Sequence, residues 1–297
     1  MVWIILGGIA LVLVMVYVGD ARHASRVARE ITEFESKLTF DEQGIETGKN
    51  SFLMMSREPA CLLVHGFRGS TEVFRELAEF LSSSQITVNA LLLPGHGRKV
   101  NALAASRWQN WNNAVESAYL HLKEVHEKIF IVGFSLGGLI ALRIASRHPV
   151  DGVVAISPLI SINPKRYGLL SPSLQVSLAR VLLFTRILKS NSLPDVLDRD
   201  ALEKLNTHPF HPIEACRSLL ELVDTSQAEI RRVRCPLLIQ QSRHDQVVDP
   251  QSVQDFYDEV VPGDKKLTWY EDSGHELLLD SEKEAVFGEI LAFIKKG

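Results

Sequence analysis

The sequence is poor in cysteine and has no excess of positive charge. Its three cysteines, Cys61, Cys216 and Cys235, are too few to build a disulfide framework, and no C-x-x-C pair indicates a zinc site. Lysine and arginine number 32 against 36 acidic residues, a formal charge of −4 at pH 7. We therefore expect no nucleic-acid partner. The charged share of 23 % is ordinary for a globular protein, which excludes a disordered or fibrous chain.

The N-terminal segment, residues 2–18, lacks charge altogether. As a helix it spans roughly 26 Å, at the short end of what a bilayer core of ~30 Å requires. Because no basic head precedes it, it is interpreted as an uncleaved single-pass membrane anchor. The alternative is a signal peptide cleaved after Ala21, which would make the protein a secreted one. Three arginines follow it, which predicts that the rest of the chain lies on the cytoplasmic side of the membrane. Residues 20–58 are interpreted as a polar tether with one helix turn and one edge strand.

From residue 59 onward, short apolar runs alternate with amphipathic segments. This pattern is typical of crossover units and predicts an α/β fold, with a mainly parallel sheet flanked by helices. Strands are predicted at 60–64, 86–93, 129–134, 153–156, 236–240 and 266–270, and helices at 71–81, 107–127, 136–147, 250–260 and 281–295. The block between Ser157 and residue 236 interrupts the alternation and is interpreted as helical, without an extra sheet.

The pattern G-x-S-x-G, from Gly133 to Gly137, lies between a predicted strand and a predicted helix. In that context it forms a nucleophile elbow, a tight turn that holds a serine hydroxyl at the edge of the sheet. A phosphate-binding loop would end in Lys-Ser/Thr or show G-x-G-x-x-G spacing, and this segment has neither. Ser135 is therefore the predicted nucleophile.

A serine nucleophile needs a general base and an acid that orients the base, and in folds with this elbow they follow in the order acid, then histidine. Asp245 is the first carboxylate after the strand at 236–240, so it is expected at the carboxyl edge of the sheet and is the predicted acid. The alternative, Asp249, precedes Pro250 and is better interpreted as a helix N-cap.

The predicted base is His275, in the loop after the last strand, where Gly274 gives the backbone freedom to turn back over the sheet edge. His244 is its nearest rival, although it adjoins the predicted acid. The backbone N–H groups of Leu136 and Phe67 are the predicted oxyanion donors, and His65 is interpreted as an organiser of the loop that contains Phe67. Neither a cofactor nor a metal ion is expected.

Several motifs together make the sequence resemble the serine α/β-hydrolases, most closely the bacterial carboxylesterases and monoacylglycerol lipase-like enzymes. The resemblance implies an α/β-hydrolase fold over residues 59–297, with a helical cap inserted at about 158–212. It also implies the same catalytic residues, Ser135, Asp245 and His275, with Phe67 and Leu136 as oxyanion donors. The motifs are LLVHGFRGS (62–70), LLLPGHG (91–97), GFSLGG (133–138), QSRHDQVVDP (241–250) and YEDSGHELLLD (270–280).

Within the expected cap, apolar residues at helical spacing form one face. This face is predicted either to roof an acyl-binding pocket or to pack against the body, with contact to lipid as a third possibility. Its residues are Leu174, Leu178, Val181 and Leu182.

The expected activity is hydrolysis of carboxylic esters through an acyl-enzyme intermediate, on short- to medium-chain acyl esters or monoacylglycerol. The substrate is thus a small-molecule or lipid ester. The same residues could act on a thioester, cleave a carbon–carbon bond of a diketone or form a peracid, because one fold supports many chemistries. A catalytically inactive, membrane-tethered binding protein is the alternative from another class.

Overall fold

The computed structural model describes residues 2–166, 171–182, 186–190, 194–204, 208–261 and 263–297, and in the first helix it describes side chains from residue 14 onward. The helices are α1 Val2–Glu35, α2 Arg75–Ser83, α3 Val100–Ala105, α4 Trp108–Val125, α5 Leu136–Ala145, α6 Pro172–Leu182, α7 Arg199–Lys204, α8 Ile213–Ile230, α9 Pro250–Glu259 and α10 Lys283–Lys296. The strands are β1 Phe52–Met54, β2 Arg57–Val64, β3 Ile86–Leu91, β4 Ile129–Phe134, β5 Gly152–Ile156, β6 Ile187–Lys189, β7 Phe210–Pro212, β8 Leu237–Ser242 and β9 Lys265–Tyr270.

The central sheet contains seven strands within the described residues, in the order β1-β3-β2-β4-β5-β8-β9. Strand β1 pairs antiparallel with β3, and every other neighbouring pair is parallel. The predicted mainly parallel sheet is thus confirmed. Because β4, β8 and β9 run in the same direction, the loops that follow them meet at one edge of the sheet.

Strands β4 and β5 are buried along their whole length, which explains why they are continuous apolar runs in the sequence. In β4, Ile129 and Ile131 pack into one apolar cluster, with residues of α4, α5 and α8, whereas Phe130 and Val132 pack into the other, with residues of α2 and α10. Alternate side chains of one strand therefore contribute to the two halves of the core.

The cap lies between β5 and α8 and differs from the prediction in one respect. Besides α6 and α7 it contains a small antiparallel sheet, in which β6 pairs with β7 and Leu188 lies opposite His211. The interpretation of this block as helical without a sheet was therefore wrong. Leu174 and Leu178 of α6 are 45 % and 41 % exposed, so each side chain is only partly covered. The side chains of residues 181 and 182 lie outside the described part.

The N-terminal helix continues well beyond the predicted anchor, because α1 extends to Glu35. A single helix turn was expected after residue 20, so that detail of the predicted tether was wrong. Val27 is buried in a small apolar cluster with Val100 and Phe210, and Phe34 packs against the same cluster. The C-terminal part of α1 therefore rests on the cap and on α3.

Among the residues that the structure describes, no helix is long and apolar enough to cross a membrane. This finding gives the predicted anchor at 2–18 no support. Side chains 2–13, which form most of that segment, lie outside the description. The apolar side chains that follow are largely exposed, with Val14, Met15 and Tyr17 each more than half accessible.

Candidate active site

Ser135 lies in the tight turn between β4 and α5. Its backbone adopts φ 54° and ψ −112°, a conformation that residues with side chains rarely adopt. The turn presents the hydroxyl at the carboxyl edge of the sheet, and the residue is only 7 % exposed. A strained backbone at this position is typical of a nucleophile elbow, as the sequence predicted.

Asp245 follows β8 and its carboxylate is saturated with hydrogen-bond donors. One oxygen, Oδ1, accepts the N–H groups of Val247 and Val248, each at 2.7 Å. The other, Oδ2, accepts a hydrogen bond from the Gln241 side-chain amide at 2.8 Å and lies 2.8 Å from Nδ1 of His275. These four donors fix the carboxylate rigidly at the bottom of the site.

His275 connects the acid to the serine. Since a carboxylate only accepts, Nδ1 of His275 donates to Asp245, and Nε2, at 3.1 Å from the Ser135 Oγ, is left as the acceptor for the serine hydroxyl. The ring is 4 % exposed and packs at 5.1 Å, between centroids, from the ring of Phe134. The structure thus brings together the three residues predicted to act in catalysis; we refer to Ser135, His275 and Asp245 as the Ser–His–Asp chain.

In the Ser–His–Asp chain, burial and charge shift the pKa values of His275 and Asp245 in opposite directions. Burial lowers the pKa of His275, but the carboxylate of Asp245 outweighs it, so the pKa of His275 lies above its ordinary value. Burial conversely raises the pKa of Asp245, but attraction to His275 and the hydrogen bonds it accepts bring its pKa below the usual value. An imidazole held beside an ionised carboxylate in this way is suited to accept a proton from the serine hydroxyl.

The loop after β2 approaches the serine from the other side. A Cβ on Gly66 would lie 3.3 Å from Cβ of Ser135, so this part of the loop is in contact with the elbow. His65 braces the loop: its Nδ1 donates to the Gly66 carbonyl at 2.8 Å, and its Nε2 accepts the Leu93 N–H at 3.0 Å. Burial lowers the pKa of His65 to about 4, so it is a neutral organiser rather than a base. Phe67, the predicted donor, follows directly, and Leu136 begins α5.

Asp249 and His244, the alternatives considered for the acid and the base, have other environments. The side chain of Asp249 accepts the N–H of Gln251 at 3.2 Å and caps helix α9, as predicted. His244, the alternative base, is exposed to solvent, whereas His275 is buried.

Ser157 was missed by the sequence analysis. It is the first residue after β5, has φ 43°, and its hydroxyl donates to the carbonyl of His275 at 2.9 Å. Its position at the end of a central strand is a signal that could have identified it, because the carboxyl edge is where sites of parallel sheets lie.

Comparison with known proteins identifies relatives over most of the chain. Residues 56–282 match the model of the family described as Serine aminopeptidase, S33 (Hydrolase_4). A carboxylesterase of Bacillus subtilis (strain 168) is 29 % identical over 248 residues, which cover 82 % of this chain and 96 % of the relative. A thermostable monoacylglycerol lipase of Bacillus sp. (strain H-257) is 28 % identical over 257 residues, which cover 86 % and 98 %.

A solved structure from a study of two metagenome-derived lipolytic enzymes, LipS and LipT, is similar in fold, with a TM-score of 0.74 and 27 % identity. The match covers 85 % of this chain and all of that one. The resemblance to carboxylesterases and monoacylglycerol lipases, and the α/β-hydrolase fold that it implied, are therefore confirmed. With most of its length matched by the family model, the chain belongs to the serine aminopeptidase S33 family of hydrolases.

Proposed function

We propose that this protein is a serine hydrolase that cleaves carboxylic esters through an acyl-enzyme intermediate. The observation that carries the proposal is the Ser–His–Asp chain, with 3.1 Å between Ser135 Oγ and His275 Nε2 and 2.8 Å between His275 Nδ1 and Asp245 Oδ2. A buried serine, a neutral imidazole and an ionised carboxylate in this order are the three groups that nucleophilic acyl transfer requires.

In the proposed mechanism, His275 takes the proton of the Ser135 hydroxyl while Oγ attacks the ester carbonyl carbon. The carbonyl oxygen becomes an oxyanion, to which the N–H groups of Leu136 and Phe67 donate. Collapse of this intermediate expels the alcohol, which takes the proton from His275. Water, deprotonated by His275, then attacks the acyl-serine, and the acid leaves while Ser135 regains its proton.

The proposed substrates are short- to medium-chain acyl esters or monoacylglycerols. This class is supported by the names of the relatives, a carboxylesterase and a monoacylglycerol lipase, both matched over nearly their whole length. The other acyl-transfer reactions considered from the sequence need the same three residues, so substrate assays must separate them. An inactive binding protein would not need to retain every member of a hydrogen-bonded catalytic chain.

We also propose that residues 2–18 anchor the protein to a membrane, with the catalytic part on the cytoplasmic side. Support comes from the uncharged sequence of this segment and from the arginines that follow it. The exposed apolar side chains of residues 14–18 add to it, because a row of solvent-exposed apolar residues is costly in water and suited to lipid.

The test of the enzymatic proposal is covalent labelling by a fluorophosphonate, followed by turnover of nitrophenyl esters of increasing chain length. We expect the wild type to be labelled on Ser135 and to hydrolyse esters, and Ser135→Ala to lose labelling and at least about 10³-fold in kcat. Ser146→Ala, at the other end of α5, is the matched control and should behave as the wild type. Substantial turnover by a folded Ser135→Ala protein would refute the proposal, as would absence of labelling in the wild type.

A further inference from the structure

A carboxylate of the cap reaches the backbone of both catalytic loops. Asp195 lies in the segment 194–198, and its Oδ2 accepts the N–H of Gln246, next to the acid, at 2.7 Å. The same oxygen accepts the N–H of His275 itself at 3.2 Å. In addition, the carbonyl oxygen of Asp195 accepts the N–H of Glu276 at 3.2 Å. One cap residue therefore holds three backbone amides beside the Ser–His–Asp chain.

A second carboxylate makes the reverse connection, from the histidine loop to the cap. Asp280 is 1 % exposed, and its Oδ2 accepts the N–H groups of Leu197 at 2.8 Å and of Gly274 at 2.7 Å. Its Oδ1 accepts the N–H of Asp198 at 2.8 Å. The cap segment and the loop that carries His275 are thus cross-linked by two carboxylates, one supplied by each side.

The contact between the two segments is as close as backbones allow. A Cβ built on Gly274 would lie 2.4 Å from the carbonyl oxygen of Asp195, a distance that no side chain can occupy. Glycine at the position before His275 is therefore required by the seated cap as well as by the turn of the loop.

We propose that Asp195 and Asp280 are positioning residues that make assembly of the Ser–His–Asp chain depend on the seating of cap segment 194–198. The inference rests on the proposed function. When the segment lifts, the amides of Gln246 and His275 lose their acceptor, and the two loops lose the connection that sets their spacing. The cap then controls the geometry of catalysis in addition to access.

The charge of Asp195 also acts on the imidazole. Three carboxylates raise the pKa of His275: Asp245 foremost, then Glu276 and Asp195. Burial raises the pKa of Glu276, and the positive charges of His275 and Arg68 oppose that rise, so Arg68 acts on the same cluster of charges. Removing the charge of Asp195 while keeping an oxygen acceptor should therefore lower the pKa of His275 and leave the hydrogen bond in place.

The experiment compares Asp195→Ala, Asp195→Asn and Asp200→Ala in the full chain. Asp200 is an exposed cap aspartate with no hydrogen bond to the catalytic loops, as far as the described residues show, and serves as the matched control. For each protein, kcat and KM on a small nitrophenyl ester, the rate constant of fluorophosphonate labelling, the pH profile of kcat/KM and the midpoint of thermal unfolding are measured.

We expect Asp195→Ala to lower kcat and the labelling rate constant by about 10- to 100-fold, with little change in KM, because a misplaced imidazole slows attack by the serine. Asp195→Asn should retain most of the wild-type kcat and labelling rate constant. The acidic limb of its kcat/KM profile should lie at lower pH than that of the wild type. Asp200→Ala should match the wild type in every measurement.

A purely structural role in holding the cap predicts another result, in which Asp195→Ala raises KM and leaves kcat and labelling unchanged; this would overturn the inference. Equal damage from Asp200→Ala would overturn it too. If Asp195→Ala does not fold, the Asp195→Asn profile decides, and an unmoved acidic limb refutes the inference. A wild type that fails to label refutes the proposed function and this inference together, whereas wild-type labelling rates in Asp195→Ala refute this inference alone.

Discussion

Gly137 lies against the backbone of Val64 so closely that an ideal Cβ on it would be 1.9 Å from the Val64 carbonyl oxygen. The first turn of α5 therefore packs directly on the end of β2, and this contact holds the nucleophile elbow against the neighbouring strand. The separation is far below any contact that a real side chain makes, so neither segment can accommodate a methyl group without moving.

Gly137→Ala is accordingly expected to destabilise the protein by about 2–3 kcal/mol, because the added methyl forces backbone displacement in a packed core. The control is the same substitution at Gly288 in α10, where a Cβ would meet nothing within 4 Å. Gly288→Ala should stabilise by about 0.5–1 kcal/mol, since alanine loses less entropy in a helix. Urea unfolding measures both, and equal effects would contradict the packing argument.

The choice between the two candidate acids is open to a direct test. Asp245→Asn should lower kcat by about 10³- to 10⁴-fold, because an amide in place of the carboxylate no longer fixes the tautomer of His275. Asp249→Asn should leave kcat unchanged and alter stability by less than about 0.5 kcal/mol, since asparagine caps a helix as well as aspartate does. Steady-state kinetics on both variants decides, and the reverse ranking would show that Asp249 is the acid.

The pH dependence of kcat/KM should reveal the environment of His275. The imidazole must be neutral to accept the serine proton, and the Asp245 carboxylate holds its pKa above the ordinary value of 6.5. Activity should therefore fall on acidification with a midpoint above 6.5 rather than below it. A midpoint well under this value, measured on a small ester with the fold intact by circular dichroism, would mean that burial dominates and that the pairing with Asp245 is weaker than its distance indicates.

Two N-terminal truncations should separate the anchor from the part of α1 that packs on the cap. Deleting residues 1–20 should release the protein from membranes with near-normal activity on a water-soluble ester, because the buried contacts of α1 begin at Val27. Deleting residues 1–38 should in addition lower the unfolding temperature, since it removes Val27 and Phe34 from their apolar cluster. Fractionation and thermal unfolding of both variants provide the test, with intact-mass analysis of the full chain to detect signal cleavage.

The sequence alone was sufficient to predict those site residues that belong to a local sequence pattern. The elbow is a five-residue motif between a predicted strand and a predicted helix, so Ser135 could be identified without knowledge of the fold. Asp245 and His275 could then be predicted, because the loops that follow parallel strands lie at the same edge of the sheet. By contrast, Asp195 has no local signature, and its role becomes visible only when the cap is placed against the two loops.

The small cap sheet and the long N-terminal helix were also missed because they depend on contacts between distant parts of the chain. Strands β6 and β7 have three residues each, too few for a periodic pattern, and they pair across a gap in sequence. In the supposed tether, Val27, Ile31 and Phe34 are spaced as one helical face, but their partners lie far along the chain, at Val100 and in the cap. An amphipathic stripe reveals that a surface will be covered, whereas the identity of the covering element is decided by tertiary packing.

The placement of α1 has a mechanical consequence. The helix contacts β6, and Lys189 of that strand lies 2.9 Å from the carboxylate of Glu30, while Phe34 stacks edge-on against Phe210 of β7. The contacts of α1 therefore connect the N-terminal helix directly to the small antiparallel sheet of the cap, β6 and β7. If residues 2–18 hold the protein at a membrane, as proposed, the orientation of α1 relative to that membrane would also fix the orientation of β6 and β7 in the cap.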